Sequence, residues 1–439
     1  MRNGKVFLWS IVVALGGFLF GFDTAVISGA EQAIQKYWGL NAFQHGFTVS
    51  IALFGTILGA LTGAIPSDRW GRKKTLVGIA ILYLISSLGS ALSVNWYVFL
   101  FCRFAGGVGV GASSVAAPVY ISEIAPAGKR GRLVALFQFN VVLGILISYL
   151  SNYLIAGSGD ASWRLMLGIQ AVPSLVFLIL LRWVPETPRW LVTRRGEIGE
   201  AKKILSVINP ASYLDDLASI RSVRQDIGES VFFSRKNRLP IFLAVLFAVF
   251  NQVSGINAII YYAPRIFEMT GLGRSSSLLS TAGLGLVNFI FTLIAINFID
   301  RVGRRTLMII GSLGLIITLG LVSASFYLHA FNGLWVVGYL LVYIAFFAFS
   351  QGAVIWVFIA EIFPNQIRAK GQTLGSFTHW LMAALIAFTF PVIAEKFGGG
   401  STFLFFTVMM ILQLLFVWKF MPETKGQSLE QIERSLIIH

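Results

Sequence analysis

Two charged residues sit inside long apolar runs: Asp23 in Phe20-Gly21-Phe22-Asp23-Thr24 and Arg103 in Phe101-Cys102-Arg103-Phe104. A charge near the centre of a bilayer costs roughly 2.5–3.5 kcal/mol on insertion scales, so each needs a reason. A carboxylate beside a guanidinium stays ionised, whereas one stranded in an apolar site takes up a proton. Such a pair on separate segments can bind and release a proton as its separation changes. It can equally be a static buried ion pair, and the residues alone leave both readings open.

A second constellation is neutral. Gln138, Asn251, Gln252, Asn257, Asn288 and His379 also fall inside apolar runs. Each would leave donors or acceptors unmet in lipid, so each must face the protein interior. Phe20, Tyr261, Tyr262, Trp356 and Trp380 accompany them. Amides that both donate and accept, beside indole and phenol rings, suit a ligand with hydroxyls on one side and C–H faces on the other. That describes a sugar. The alternative is that these groups join helices by hydrogen bonds, which serves any one position as well but six together less well.

The elements that position these groups are membrane spans. With 439 residues, 56% hydrophobic and 12% charged, and a mean hydropathy of +0.78, the chain lacks the charged surface of a soluble globule. Roughly 20 apolar residues cross a hydrocarbon core of about 30 Å. Twelve such stretches are predicted: 6–30, 46–66, 75–95, 97–122, 131–156, 164–184, 240–267, 278–299, 305–328, 334–362, 371–394 and 400–421. Helices satisfy their own backbone groups in lipid, so these are helices. The fold class is therefore an all-α membrane protein.

The chain also repeats itself. Asp68-Arg69-Trp70-Gly71-Arg72-Lys73 returns about 230 residues later as Asp300-Arg301-Val302-Gly303-Arg304-Arg305. Ser122-Glu123-Ile124-Ala125-Pro126 returns as Ala360-Glu361-Ile362-Phe363-Pro364, and Pro185-Glu186-Thr187 as Pro422-Glu423-Thr424. Self-similarity at this scale marks a transporter built from two related halves, with its substrate site where they meet. The predicted organisation is an N-terminal six-helix bundle over 1–185, a linker over 186–239 with short amphipathic helices, a C-terminal six-helix bundle over 240–421 and a tail over 422–439.

Most Lys and Arg fall on one side if the first loop is external, which places both termini in the cytoplasm. The net charge of +15 follows from this asymmetry and from anionic inner-leaflet lipid rather than from nucleic acid, since no basic stretch is interleaved with stacking aromatics. The first span is predicted to be retained rather than cleaved. Cys102 is the only cysteine, which rules out an intrachain disulfide. The absence of an Asn-x-Ser/Thr sequon permits a bacterial inner membrane. Gly107-Val108-Gly109-Val110-Gly111 has no strand before it, so it reads as close helix packing and not as a nucleotide loop. His45, His329 and His439 are scattered without metal-ligand spacing. With no nucleophile and base set either, neither an enzyme, a metal site nor a cofactor is expected.

The chain resembles, over nearly its whole length, the sugar porter family of the major facilitator superfamily, and in particular its bacterial sugar/proton symporters. The residues carrying the resemblance are the two basic motifs, Pro185-Glu186-Thr187-Pro188-Arg189-Trp190, Gly255-Ile256-Asn257 with Tyr261-Tyr262-Ala263-Pro264, Glu361-Ile362-Phe363-Pro364 and Pro422-Glu423-Thr424-Lys425-Gly426. It implies two pseudo-symmetric six-helix bundles that give alternating access to a monosaccharide, working as a monomer. Gln138, Gln252, Asn257, Asn288 and Trp356 look like the family's sugar contacts, with Phe20, Tyr261, Phe347 and Trp380 around them. Asp23 and Arg103 resemble the coupling pair of bacterial xylose/proton symporters, where facilitative mammalian glucose transporters have Asn at the aspartate. Asp68, Arg72, Glu123, Arg132, Glu186, Asp300, Arg304, Glu361, Arg368 and Glu423 look like a cytoplasmic charge network that latches the outward-open state.

Departures from the family pattern bear on the substrate. The paired Gln of the seventh span is Asn251-Gln252, Ile145 follows the mammalian transporters, and His379 stands where Gln or Asn is usual. Ser350-Gln351-Gly352-Ala353-Val354 replaces a Pro-containing stretch, which is expected to soften any break in the tenth span. A hexose, glucose first, is favoured over xylose or a polyol. A passive uniporter and a sugar sensor are the alternatives to a symporter.

Overall fold

The computed structural model describes residues 3–126, 129–159, 161–222, 232–234, 237–329, 333–363 and 367–425, and helices dominate throughout. Eleven of these helices are long and apolar enough to cross a membrane, the last running Lys370–Phe420. That last helix kinks at Gly398, whose φ of 78° and ψ of 165° are non-helical. It therefore contains the two predicted spans 371–394 and 400–421. The chain is a multi-pass membrane protein with twelve spans, as the twelve apolar stretches predict.

The differences lie at ends and breaks. The first helix, Asn3–Trp38, has 36 residues, about 54 Å at 1.5 Å per residue, so it outruns the hydrocarbon core. The seventh span is two helices, Arg238–Val253 and Ile256–Met269. They meet at Ser254 and Gly255, and Gly255 has φ 86°, the left-handed region that glycine enters without strain. The Tyr343 hydroxyl secures this corner by donating to the Ser254 carbonyl at 2.9 Å.

The tenth span is interrupted although it lacks the Pro-containing stretch. A break is present at Ser350 (φ −113°, ψ −88°), between Gly333–Phe349 and Gln351–Ile362. Proline is unnecessary because serine supplies its own local bonds. Its backbone N–H donates to the carbonyls of Phe346 and Phe347 at 3.1 and 3.2 Å, and its Oγ donates to Phe346 at 2.6 Å.

The chain divides into two compact units: Met1–Val26, Ile51–Ser148 and Ser158–Ile227 form the first; Ile27–Ser50, Tyr149–Gly157 and Gly228–His439 form the second. Segments 27–50 and 149–157, from the predicted first bundle, thus belong to the second unit. In the first unit, the glycine-rich stretch of the fourth helix (Trp96–Ile124) lies directly on the second helix (Ala42–Thr62). A Cβ on Gly107 would stand 1.8 Å from the Ala52 carbonyl oxygen, and one on Gly111 2.1 Å from that of Thr56. This is the close packing expected of the stretch. The core of the second unit is aromatic, with Phe247 packed edge-on against Phe358 and Phe416 at ring separations of 4.9 and 5.2 Å. Of the linker, residues 198–208 and 213–222 are helical. Residues 223–231 and 235–236, and the tail from 426, lie outside the described residues.

The repeated motifs do the same structural work in each unit. Gly71 and Gly303 have nearly identical backbones, φ 103° and ψ 158° against φ 100° and ψ 155°. Each precedes a helix whose first N–H groups lack intrahelical acceptors. In the first unit Glu186 fills that need, accepting from the backbone N–H of Arg72 at 3.1 Å, of Lys73 at 3.1 Å and of Thr187 at 2.8 Å. Glu423 does so in the second, accepting from Arg304 at 2.9 Å and Arg305 at 3.0 Å. A Cβ on Gly71 would lie 2.3 Å from Glu186 Oε2, and one on Gly303 2.6 Å from Glu423 Oε2, so the cap requires glycine. Each carboxylate thus anchors, from over a hundred residues away, the start of a spanning helix, Arg72–Leu92 in the first unit and Arg304–Tyr327 in the second. Glu186→Ala and Glu423→Ala are each expected to cost about 1–2 kcal/mol, the loss of a helix cap. Thermal unfolding in detergent measures this, and an unchanged midpoint in both variants would contradict the capping role.

Candidate functional site

In the first unit the first helix carries Asp23 and the fourth carries Arg103. Arg103 Nη1 donates to Asp23 Oδ1 at 2.9 Å, and Nη2 to the Asp23 backbone carbonyl at 3.2 Å. Both residues are 1% exposed. Nε of Arg103 is buried without a hydrogen-bond partner, as is the hydroxyl of Ser86. Ser86 is close by, since a Cβ added at Gly106 would meet both its Oγ, at 2.2 Å, and Asp23 Oδ1, at 3.5 Å. The guanidinium is therefore held chiefly by one residue. A buried pair so sparsely supported by other bonds depends on both charges, because removing either leaves the other uncompensated.

One turn before Asp23, Phe20 is half-buried and its ring lies 6.4 Å from that of Phe137 on the fifth helix, Arg130–Ile155. The neighbouring Gln138 is exposed. An exposed amide is free to meet a ligand, which a helix-joining one is not.

In the second unit the break at Gly255 gathers the amides. Asn251 and Gln252 end one helix, and Asn257 begins the next. Gln252 Nε2 donates to Asn251 Oδ1 at 2.8 Å, while Gln252 Oε1 accepts from Asn257 Nδ2. Gln252 Nε2 also lies 3.2 and 3.3 Å from the two ring nitrogens of His379. An amide NH₂ only donates, so the imidazole must present a lone pair and is neutral in this arrangement. The His379 ring is set between Trp356 and Trp380, at centroid distances of 4.8 and 4.9 Å. Polar edges and aromatic faces are thus brought together, and Gln252 is the hub. Tyr261 is buried one turn beyond Asn257, and Phe347 stacks on Tyr343, the residue that fixes the Ser254 corner. Asn288, on the eighth helix Arg274–Val302, is half-buried and is not hydrogen-bonded to this cluster among the described residues.

Among the described residues, the charges of the repeated motifs form two local sets. Arg72 bridges Asp68 at 3.0 Å and Glu123 at 3.0 Å. Arg304 bridges Glu361 at 2.8 Å, and Glu361 also accepts from the Thr424 hydroxyl at 2.6 Å. Burial raises the Glu186 carboxyl above its usual range, against the pull of the backbone N–H groups it caps. Arg132 is exposed, and Nε and Nη2 of Arg368 are buried without hydrogen bonds. The side chain of Asp300 lies outside what the structure describes.

One charged cluster escapes the sequence reading. Glu31, His45 and Arg265 meet within the second unit, with Glu31 and His45 fully buried. The available signal was a carboxylate two helical turns beyond Asp23 on a helix that continues past the predicted span.

The comparisons with known proteins agree with this architecture. A family profile described as "Sugar (and other) transporter" matches residues 9–436. The arabinose–proton symporter of Bacillus subtilis is 38% identical over 98% of this chain and 95% of its own. A glucose transport protein of Synechocystis is 37% identical over 97% of both. The inward-open structure of the Escherichia coli xylose transporter superposes with a TM-score of 0.87 at 35% identity, covering 98% of this chain and 99% of that one.

The geometry of the buried pair sets a stability expectation. Asp23→Ala leaves Arg103 charged and unpaired and should cost about 3–5 kcal/mol, whereas Asp23→Asn retains a hydrogen-bond acceptor and should cost clearly less. Equal thermal stability of the two variants would contradict the pairing.

Proposed function

The chain belongs to the sugar transporter family, and from that premise we propose that it imports a monosaccharide together with a proton. The carrying observation is the Asp23–Arg103 pair, buried and joined at 2.9 Å. A carboxylate whose charge is maintained by a single guanidinium changes its proton occupancy when the two part. The first helix, which holds Asp23, also holds Phe20, so movement around a bound ligand is transmitted directly to the pair. The curated relatives support the reading, since the arabinose relative is named as a proton symporter.

The sugar is assigned to the amide cluster of the second unit. Asn251, Gln252, Asn257 and His379 offer donors and acceptors to hydroxyls, and Trp356 and Trp380 offer faces to C–H groups. Phe20, Gln138, Tyr261, Asn288 and Phe347 keep the contact roles that the family resemblance gives them. A hexose, glucose first, is the proposed substrate. The protein is placed in a bacterial inner membrane with both termini cytoplasmic, acting as a monomer on the six-plus-six division read from the sequence. The two local sets around Arg72 and Arg304 serve as the cytoplasmic latch. A passive uniporter is the second reading, and uptake that survives a protonophore would favour it.

Two measurements test the proposal. A membrane potential and pH gradient summing to about 150 mV supply roughly 3.4 kcal/mol per proton, enough for about 300-fold accumulation. Asp23→Asn keeps size and a bond to Arg103 but does not titrate, so in energised vesicles it should still equilibrate sugar while losing accumulation. Retained uphill uptake would assign the proton elsewhere. Gln252→Ala should weaken sugar binding by roughly 1–3 kcal/mol, the cost of leaving buried ligand polar groups unmet. Equal apparent affinity in variant and parent would remove Gln252 from the site.

A further inference from the structure

The cluster at Glu31 is built as a clasp. Glu31 stands near the end of the first helix, His45 in the first turn of the second, and Arg265 on the second half of the broken seventh span, all inside the second compact unit. Arg265 grips the carboxylate with two bonds, Nε to Oε1 at 3.0 Å and Nη2 to Oε2 at 2.8 Å. Its Nη2 reaches on to Gln35 Oε1 at 2.5 Å. His45 Nε2 lies 2.6 Å from the same carboxylate. That distance makes Nε2 the donor, and His45 Nδ1 is left buried without a hydrogen-bond partner. Tyr262 closes the cluster from the seventh span, its ring edge-on to His45 at 6.0 Å.

Burial is uneven in a way that matters. Glu31 and His45 have no exposed side-chain surface, whereas Arg265 is 27% exposed. Arg265 opens onto a cavity of about 490 Å³ that Gln32, Gln35, Lys36, Glu268 and Met269 also line. Water therefore already touches one partner. A bidentate carboxylate–guanidinium pair holds firmly while dry, and its attraction weakens steeply once water surrounds both charges.

We propose that Glu31, Arg265 and His45 form the outer latch of the transport cycle, which holds residues 27–50 against the seventh span until water enters through the cavity. This rests on the transport reading above, and on its orientation with the first loop external. With the first loop external, the end of the first helix and the start of the second, which carry Glu31 and His45, are assigned to the outer side, and the basic motifs around Arg72 and Arg304 to the cytoplasmic side. Glu31 and Arg265 are positioning residues here, since neither is assigned a contact with sugar or with the Asp23 proton.

The test reads accessibility directly. Ser28, buried one turn inward of Glu31 on the first helix, is changed by Ser28→Cys in a background carrying Cys102→Ser. Labelling by a membrane-impermeant maleimide is then followed in right-side-out vesicles. Glu31→Gln and Arg265→Gln should each raise the labelling rate about tenfold, the factor that corresponds to 1.4 kcal/mol. The double variant should label no faster than either single one, because both break the same clasp. Unchanged labelling in Arg265→Gln that unfolds at the parent's midpoint overturns the latch; where a single variant fails to fold, the double variant, which leaves neither charge uncompensated, decides in its place, and unchanged labelling there overturns the latch equally. Counterflow of labelled glucose, xylose and arabinose by the unaltered protein is measured alongside. Its absence for all three would count against the transport reading, while the labelling alone decides the latch.

Discussion

A charge inside an apolar helix bundle persists only beside a partner, and the positions of the charges in this molecule follow from that condition. Asp23 needs Arg103, and both are sealed from water. Glu31 needs Arg265, and one of those two is partly wet. Arg72 and Arg304 sit at helix starts, where carboxylates from distant segments cap the backbone and bridge the guanidinium together. The differences in burial separate roles that residue type alone does not. A dry pair with few other bonds suits proton exchange, a half-wet clasp suits opening and closing, and the capped sets hold helix starts in place.

The internal repeat has a physical meaning at the level of single atoms. Gly71 and Gly303 adopt the same left-handed backbone, and Glu186 and Glu423 accept from the same two successive N–H groups. A side chain at either glycine would collide with the capping carboxylate. The motif persists in both halves because glycine, the following basic pair and a glutamate over a hundred residues away depend on one another. The halves diverge where the ligand chemistry is assigned, with the titratable pair in one and the amide cluster in the other.

Much of this was legible in the sequence, for a reason that also marks where legibility stops. Apolar length reports spans, so all twelve were placed, and a charge inside a span is conspicuous, so Asp23 and Arg103 stood out. Hydropathy carries no information about backbone corners. The breaks at Gly255 and Ser350 lie inside long spans that hydropathy reads as continuous, and the one at Ser350 is present without a proline, where the serine hydroxyl donates to the Phe346 carbonyl. Glu31, His45 and Arg265 were passed over because each lies at the end of a span, where a charged residue looks ordinary. Only their meeting across 234 residues of chain gives them significance. His45 read as one of several scattered histidines for the same reason. Gln252 was recognised as a buried amide, but its place as hub of Asn251, Asn257 and His379 depended on the turn at Gly255.

In the proposed cycle a proton moves with the sugar, and the buried aspartate carries it. The most direct measurement is the pH of a weakly buffered medium outside proteoliposomes containing the unaltered protein, recorded as glucose is added. Alkalinisation of the medium that scales with the sugar taken up, and that a protonophore abolishes, is the expected result. Sugar entry with no change in external pH would contradict the claim and leave Asp23 and Arg103 as a static pair in a passive carrier.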